Sequence, residues 1–390
     1  MAHSSNKQRL LSLDILRGIT ISGMILVNNP GSWSSVYAPL RHAEWNGLTP
    51  TDLVFPFFMF IMGVSMFISL KKFDFKPTGV TIRKIVKRTI VIFLIGIGIA
   101  WLSLSIRNYR RLESEELGFF TRLIKAVSNI ENLRILGVLQ RLALSYGFAA
   151  LIVVLVKHKW LPYLITGGLL GYFLILVFGN GFVLSEDNII SVIDRALFGV
   201  KHLYTDSGVK LDPEGLLSTL PSICHVLIGF LCGKVIITAQ DNSERMLKLF
   251  TIGACLTFSG FLLAYGCPIN KKIWSPTFVL VCCGLASTLL SLLILLIDVK
   301  QKKRWSVFFE SFGVNPLFCY VLAALLSIIL GNIRFAYGDG QVSVLGFVYQ
   351  GIMKPAFGNY LGSLAYAIFF VLLNWSIGHI LYKKRIYIKI

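Results

Sequence analysis

Residues 41–70 read RHAEWNGLTPTDLVFPFFMFIMGVSMFISL. The stretch opens as a polar loop that gathers His42, Glu44, Trp45, Asn46 and Asp52, and then runs without a charged residue from Leu53 to Leu70. An uncharged apolar block of that length matches the roughly 20 residues that a helix needs to cross a bilayer. The loop before it places a histidine, with an unperturbed pKa nearest neutrality of all side chains, beside carboxylates that could orient it. A solvated connector with a surface histidine is the alternative reading of the loop alone.

The rest of the chain repeats the pattern of the second half of this stretch. Of 390 residues, 55% are hydrophobic and 15% charged, and the mean hydropathy is +0.72, which excludes an ordinary soluble domain. Ten apolar blocks are expected to span, at 11–29, 51–70, 87–106, 135–156, 160–180, 215–238, 246–266, 275–298, 306–330 and 358–382. The short alternating segments of a membrane β-barrel are absent. The expected fold is an all-α polytopic membrane bundle of about ten helices, with residues 1–390 as one domain. The first block contains Asp14 and Arg17 and reads as a retained helix rather than a cleaved leader.

The net charge of +19 is sorted by side. Loops on one side hold 22 of the 38 Lys and Arg residues, including Lys7, Arg9, Lys76, the cluster Arg83 to Arg88 and Lys389. The other side holds 14, six of them in the single loop 107–134, and Arg17 and Arg141 lie within spans. By the positive-inside rule both termini are cytoplasmic and His42 faces the opposite side, as in a bacterial inner membrane. The basic loops are topology signals and contacts for anionic lipid, and no nucleic-acid motif accompanies them. The seven cysteines show no CxxC pair or zinc spacing, so no metal site is expected, and those in spans read as small packing residues.

Charges inside spans need a reason, since each costs about 2.5–3.5 kcal/mol at mid-bilayer on the insertion scale. Asp14 and Arg17, three apart, can pair on one helix face. Arg141 has a loop carboxylate or a polar cavity as its expected partner. Gly313-Val314-Asn315-Pro316 predicts a kink or break in the ninth span. Asn28 and Asn29, at the end of the first helix, either hold the chain turn or donate to an acyl oxygen. Asp52 either caps the second helix or orients His42. The loops 107–134 and 181–214, long for connections between packed helices, sit on the His42 side.

Several segments together carry a resemblance: Ser12-Leu13-Asp14-Ile15-Leu16-Arg17-Gly18, Asn28, His42 to Thr49, Asp52 to Pro56, Arg134 to Arg141, Asp212 to Leu217, Asn270 to Ser275, Gly313 to Pro316, and the tail from Leu381 to Ile390. In this order they resemble heparan-α-glucosaminide N-acetyltransferase and its bacterial relatives, over essentially the whole chain. The resemblance implies a polytopic transmembrane acetyltransferase, with acetyl-CoA as the cytosolic donor and the amino group of a terminal glucosamine across the membrane as acceptor. It implies catalytic roles for His42, Asn28 and Asp52, and a homodimer. His42 would act as general base or as a nucleophile forming an acetyl-imidazole. Arg17, Lys234 and Arg245 are candidate contacts for the CoA phosphates, chosen for charge and side. The chain opens without the additional N-terminal region and helix of the lysosomal members, and its linker from Asn28 to His42 differs from theirs. An amino-sugar transporter and a transmembrane O-acyltransferase acting on surface glycans are the competing readings.

Overall fold

A computed structural model describes residues 10–338 and 340–388; Lys7, Arg9 and Lys389 lie outside the described residues. Backbone groups in hydrocarbon must bond within their own segment, and these apolar blocks accordingly form helices. Among the described residues nine helices are long and apolar enough to cross a membrane, or ten with one bent pair counted as a span. The first three are α1 (Leu11–Asn28), α2 (Pro50–Leu70) and α3 (Gly79–Arg111). A short helix, α4 (Phe119–Ser128), precedes α5 (Val138–Leu155) and α6 (Leu161–Phe178). A second short helix, α7 (Ile189–Phe198), precedes α8 (Thr219–Thr238), α9 (Asn242–Leu263) and α10 (Pro276–Leu293). The ninth span is split into α11 (Ser306–Val314) and α12 (Pro316–Asn332), bent by 87° at the Gly313–Pro316 segment, where the sequence places a break.

The helices begin where local chemistry favours it. Pro50, Pro276 and Pro316 occupy first positions, where a missing N–H costs nothing. Thr78, Asn188, Asp241 and Ser275 cap α3, α7, α9 and α10 through their side chains. Three features depart from the sequence expectation. Helix α3 runs 33 residues, well past the expected 87–106, because its polar ends remain helical outside the apolar run. The long loops contain α4 and α7. A two-stranded antiparallel hairpin, β1 (Arg334–Tyr337) with β2 (Gly340–Ser343), follows α12, and the last span starts early, as α13 (Val344–Phe347) leading through a π turn into α14 (Lys354–Lys383).

Helices pack at small residues, as lipid-embedded helices do without a hydrophobic drive. A Cβ on Gly63 of α2 would fall 2.1 Å from the Val226 carbonyl of α8, and one on Gly229 of α8 would fall 2.2 Å from that of Phe60. Six of the cysteines are buried as packing residues, whereas Cys255 on α9 is exposed. Asp14 and Arg17 form the expected ion pair at 2.8 Å, and Arg17 also donates to the Gly313 carbonyl and to Ser65 Oγ, tying α1 to α2 and α11.

Candidate active site

Three connections meet on one face of the bundle. Gly47 N–H donates to the Ile269 carbonyl at 2.8 Å, Trp45 Nε1 to the Phe182 carbonyl at 2.8 Å, and Asn270 Nδ2 to Asn46 Oδ1 at 3.1 Å. Lys272 pairs with Asp206 at 2.6 Å and donates to the Glu44 carbonyl. The α1–α2 loop is thereby stapled to the α9–α10 connection and to the long loop between α6 and α8.

At this junction His42 Nδ1 lies 2.7 Å from Asp52 Oδ1. Asp52 is the third residue of α2, and its other oxygen accepts from the backbone N–H groups of Thr49 and Ala43 at 3.1 Å each. The two roles expected for Asp52 are therefore combined: one oxygen closes the helix start and the other holds the histidine. Its side chain is only 1% exposed, while that of His42 is 40% exposed, so the imidazole stands at the surface on a buried carboxylate.

Lys271 completes the group, with Nζ 3.4 Å from Asp52 Oδ1 and 3.0 Å from His42 Nδ1. An ionised carboxylate only accepts, so His42 Nδ1–H donates to the closer Asp52 and Lys271 serves as the counter-charge of Asp52. Nε2 then presents its lone pair outward. Burial draws the Lys271 ammonium below the usual lysine range, against the opposing pull of Asp52 and Glu214.

A second ionic cluster adjoins the first. Arg134 donates to both Asp212 oxygens, at 2.9 and 2.6 Å, and to Glu214 at 2.6 Å. Burial alone would push the Glu214 carboxyl up, but Arg134 and Arg141 outweigh it and hold it below its usual range; Lys271 acts in the same direction. Arg141 is fully buried and rests on the Gly215 carbonyl, Ser222 and Ser218, with its guanidinium 5.1 Å from the Trp274 ring. Of the two partners expected for it, a polar lining surrounds it directly, and the carboxylates act from further away. Asp194 is buried, its Oδ1 accepting from Leu216 N–H at 2.9 Å; burial pushes its carboxyl up to about 6.

The other candidate residues make no hydrogen bond to this group among the described residues. Asn28, the last residue of α1, is exposed and lines a cleft of about 200 Å³ with Asn29, Tyr320, Ala323 and Ser327. Among the described residues it makes no hydrogen bond to His42 or Asp52, and Asn29 closes the helix by donating to the Ile25 carbonyl. Arg17 is engaged with Asp14, Gly313 and Ser65 as above. Lys234 is exposed near the end of α8, and Arg245 donates to the Ile236 carbonyl and to Asn242 Oδ1. Arg17, Lys234 and Arg245 are not brought to the His42 group. Among the described residues, no three His, Cys, Asp or Glu side chains converge as metal ligands would.

The family described as heparan-alpha-glucosaminide N-acetyltransferase, catalytic, matches residues 9–265. The chain belongs to this family. It is 28% identical over 378 residues to human heparan-alpha-glucosaminide N-acetyltransferase, covering 80% of this chain and 52% of that protein. The mouse protein of the same name is 27% identical over 382 residues, covering 81% and 53%. The chain thus spans about half the length of the curated relatives it matches. The family match includes His42, Asp52, Arg134, Asp212 and Glu214 and ends before Lys271. Sequence reasoning passed over Lys271 as a candidate, although two adjacent lysines on the sparsely basic side were the available signal.

Proposed function

We propose that this membrane protein transfers acetyl from acetyl-CoA to the amino group of a glucosamine-type sugar, with His42 as general base. The observation that carries this reading is the 2.7 Å bond from His42 Nδ1 to buried Asp52, which leaves Nε2 free on the surface. Membership of the acetyltransferase family supplies the reaction class. The acceptor amine is a good nucleophile once deprotonated, so a base suffices and a covalent intermediate adds little. Nε2 takes the amine proton as nitrogen attacks the thioester carbon; the C–S bond then breaks, and the proton passes to the departing CoA sulfur. Asp52 holds the tautomer that keeps Nε2 unprotonated, in the way carboxylates serve catalytic histidines. Asn28, in the cleft with Tyr320, is proposed to donate to the acyl oxygen as the thioester reaches the site.

Donor and acceptor are proposed to come from opposite faces. The weight of basic residues on the loops away from His42 supports a cytoplasmic origin for the CoA polyanion, with Arg17, Lys234 and Arg245 as candidate phosphate contacts. The polar junction around His42 supports docking of a hydrophilic sugar outside the bilayer. In sealed vesicles of known orientation, labelled acetyl-CoA on the cytoplasmic face should acetylate glucosamine confined to the other. Product formed only when both share a compartment would end the cross-membrane geometry. Labelled acetyl retained on the protein without acceptor would replace base catalysis by an acetyl-histidine route.

A further inference from the structure

The loop from Arg107 to Arg134 breaks the charge asymmetry of the chain, and the site around His42 uses only its last arginine. Helix α3 carries an uncharged run from Thr89 to Ile106, bounded by Arg88 and Arg107. At 1.5 Å per residue these 18 residues rise about 27 Å, close to the roughly 30 Å hydrocarbon thickness, so Arg107 stands at headgroup level.

Helix α4 marks the same level independently. Trp101 Nε1 donates to the Val127 carbonyl at 3.0 Å, and Asn108 to those of Ala126 and Asn129, which holds α4 across the end of the apolar run. Phe119, Phe120 and Ile124 are 61%, 75% and 67% exposed, as expected of an amphipathic helix lying in the interface. Its cations are already neutralised: Arg122 stacks on Tyr109 beside Glu113, and Lys125 pairs with Glu115 at 3.5 Å.

Arg107 and Arg110 differ. They share a face of α3, away from α4, and neither has a carboxylate within 4.0 Å among the described residues. With Ser103, one turn deeper, and Asn332, at the end of α12, they line a cleft of about 370 Å³ between two spans. Arg110 Nη1 donates to Asn332 Oδ1 at 3.2 Å, whose amide in turn donates to the Ile328 carbonyl. The apolar flank one turn below Asn332 is exposed at Ile329.

From this arrangement we infer a binding site for one anionic phospholipid in the leaflet on the His42 side. Its phosphate sits on Arg107 and Arg110 and its acyl chains run down the α3–α12 groove past Ile329. Two arginines at headgroup depth with no carboxylate partner among the described residues, above an apolar groove, fit a lipid phosphate better than a soluble anion, which would leave the groove bare. The bound lipid would also brace α12, the half of the broken span that lines the Asn28 cleft.

The test is photo-cross-linking of the full chain in nanodiscs with phosphatidylglycerol carrying an acyl-chain diazirine, with adducts mapped by mass spectrometry. Adducts are expected within 103–110 and 328–333. They should resist excess phosphatidylcholine and yield to unlabelled phosphatidylglycerol, with a preference of about 30-fold from two arginines. In R107Q/R110Q these adducts should disappear while those at the basic stretch 83–88 persist, which also shows that the variant is inserted and folded. Adducts at 103–110 that survive in R107Q/R110Q, or equal competition by phosphatidylcholine, would overturn the site. Displacement by inorganic phosphate alone would overturn its assignment to a lipid.

Discussion

Lys271 Nζ stands 3.0 Å from His42 Nδ1 across 229 residues of sequence, and 3.4 Å from the carboxylate that holds the same histidine. Asp52 is thus a buried anion shared between a surface imidazole and a lysine far away in sequence. Removing the cation leaves Asp52 uncompensated, and breaking a buried ion pair by deleting one partner typically costs about 3–5 kcal/mol. Lys271→Met should therefore lower turnover at least about tenfold and reduce the apparent melting temperature, while Lys271→Arg retains much of both. Steady-state kinetics with thermal unfolding in detergent checks this. Wild-type turnover in Lys271→Met would dissociate the lysine from the pair.

His42 has little packing to lose at the surface, so His42→Ala should preserve folding and cut acetyl transfer by about 10²–10⁴-fold. Asp52→Asn keeps an oxygen for the helix start but loses the anionic acceptor for Nδ1–H. It should approach the loss seen in His42→Ala without changing acetyl-CoA affinity. Isothermal titration with acetyl-CoA and a free-thiol assay separate the two effects.

Asp194 sets a pH dependence of stability. Its folded pKa of about 6 exceeds the usual 3.8, so between these values the folded protein holds a proton that the unfolded chain has released. Stability should fall as pH rises through that window, by up to roughly 3 kcal/mol from this group. Asp194→Asn should flatten the profile of apparent melting temperature between pH 4 and 7. An unchanged slope would remove Asp194 as its source.

The α1–α11 crossing depends on paired glycines. A Cβ on Gly313 would fall 1.9 Å from the Asp14 carbonyl oxygen, and one on Gly18 would fall 1.8 Å from that of Phe309. Gly313→Ala must push the helices apart, at the upper end of the range of about 1–3 kcal/mol for overpacking. Because Arg17 also donates to the Gly313 carbonyl, the same change should loosen the Asp14–Arg17 pair. A melting temperature equal to wild type would contradict this account of the crossing.

Sidedness can be read with single cysteines. Tyr37 is 41% exposed in the α1–α2 loop and Lys76 is exposed in the α2–α3 loop. Tyr37→Cys should react with a membrane-impermeant thiol reagent in intact cells, and Lys76→Cys only after permeabilisation. Six native cysteines are buried, and Cys255 lies within α9, away from an aqueous reagent. Labelling in the reverse pattern would invert the membrane orientation and with it the proposed entry side of acetyl-CoA.

The spans were legible because hydrocarbon enforces them: uncharged runs such as 53–70 have no alternative to helix in lipid. The Gly313–Pro316 break was legible for a related reason, since Pro316 cannot continue the hydrogen bonding of the preceding turn. The pairing of β1 with β2 and helix α4 were not, because outside the hydrocarbon the backbone can bond to water and the pattern carries less constraint. His42 and Asp52 were visible as neighbours ten residues apart, bracketing a helix start.

What the sequence determined alone is the membrane class and the order of its apolar blocks, set by local hydropathy; it put His42 and Asp52 within ten residues of each other but left open whether the carboxylate caps α2 or holds the histidine. Tertiary structure decided which distant charges answer that pair. Lys271 reaches Asp52, and Arg134 reaches Asp212 and Glu214, only because the loops between spans fold onto one face. It also decided that Arg17 is bound among α1, α2 and α11, and that Asn28 opens into a cleft beside Tyr320. The physical reason is that helix packing turns on glycine contacts and buried ion pairs between segments far apart in sequence, and neither leaves a periodic signal along the chain.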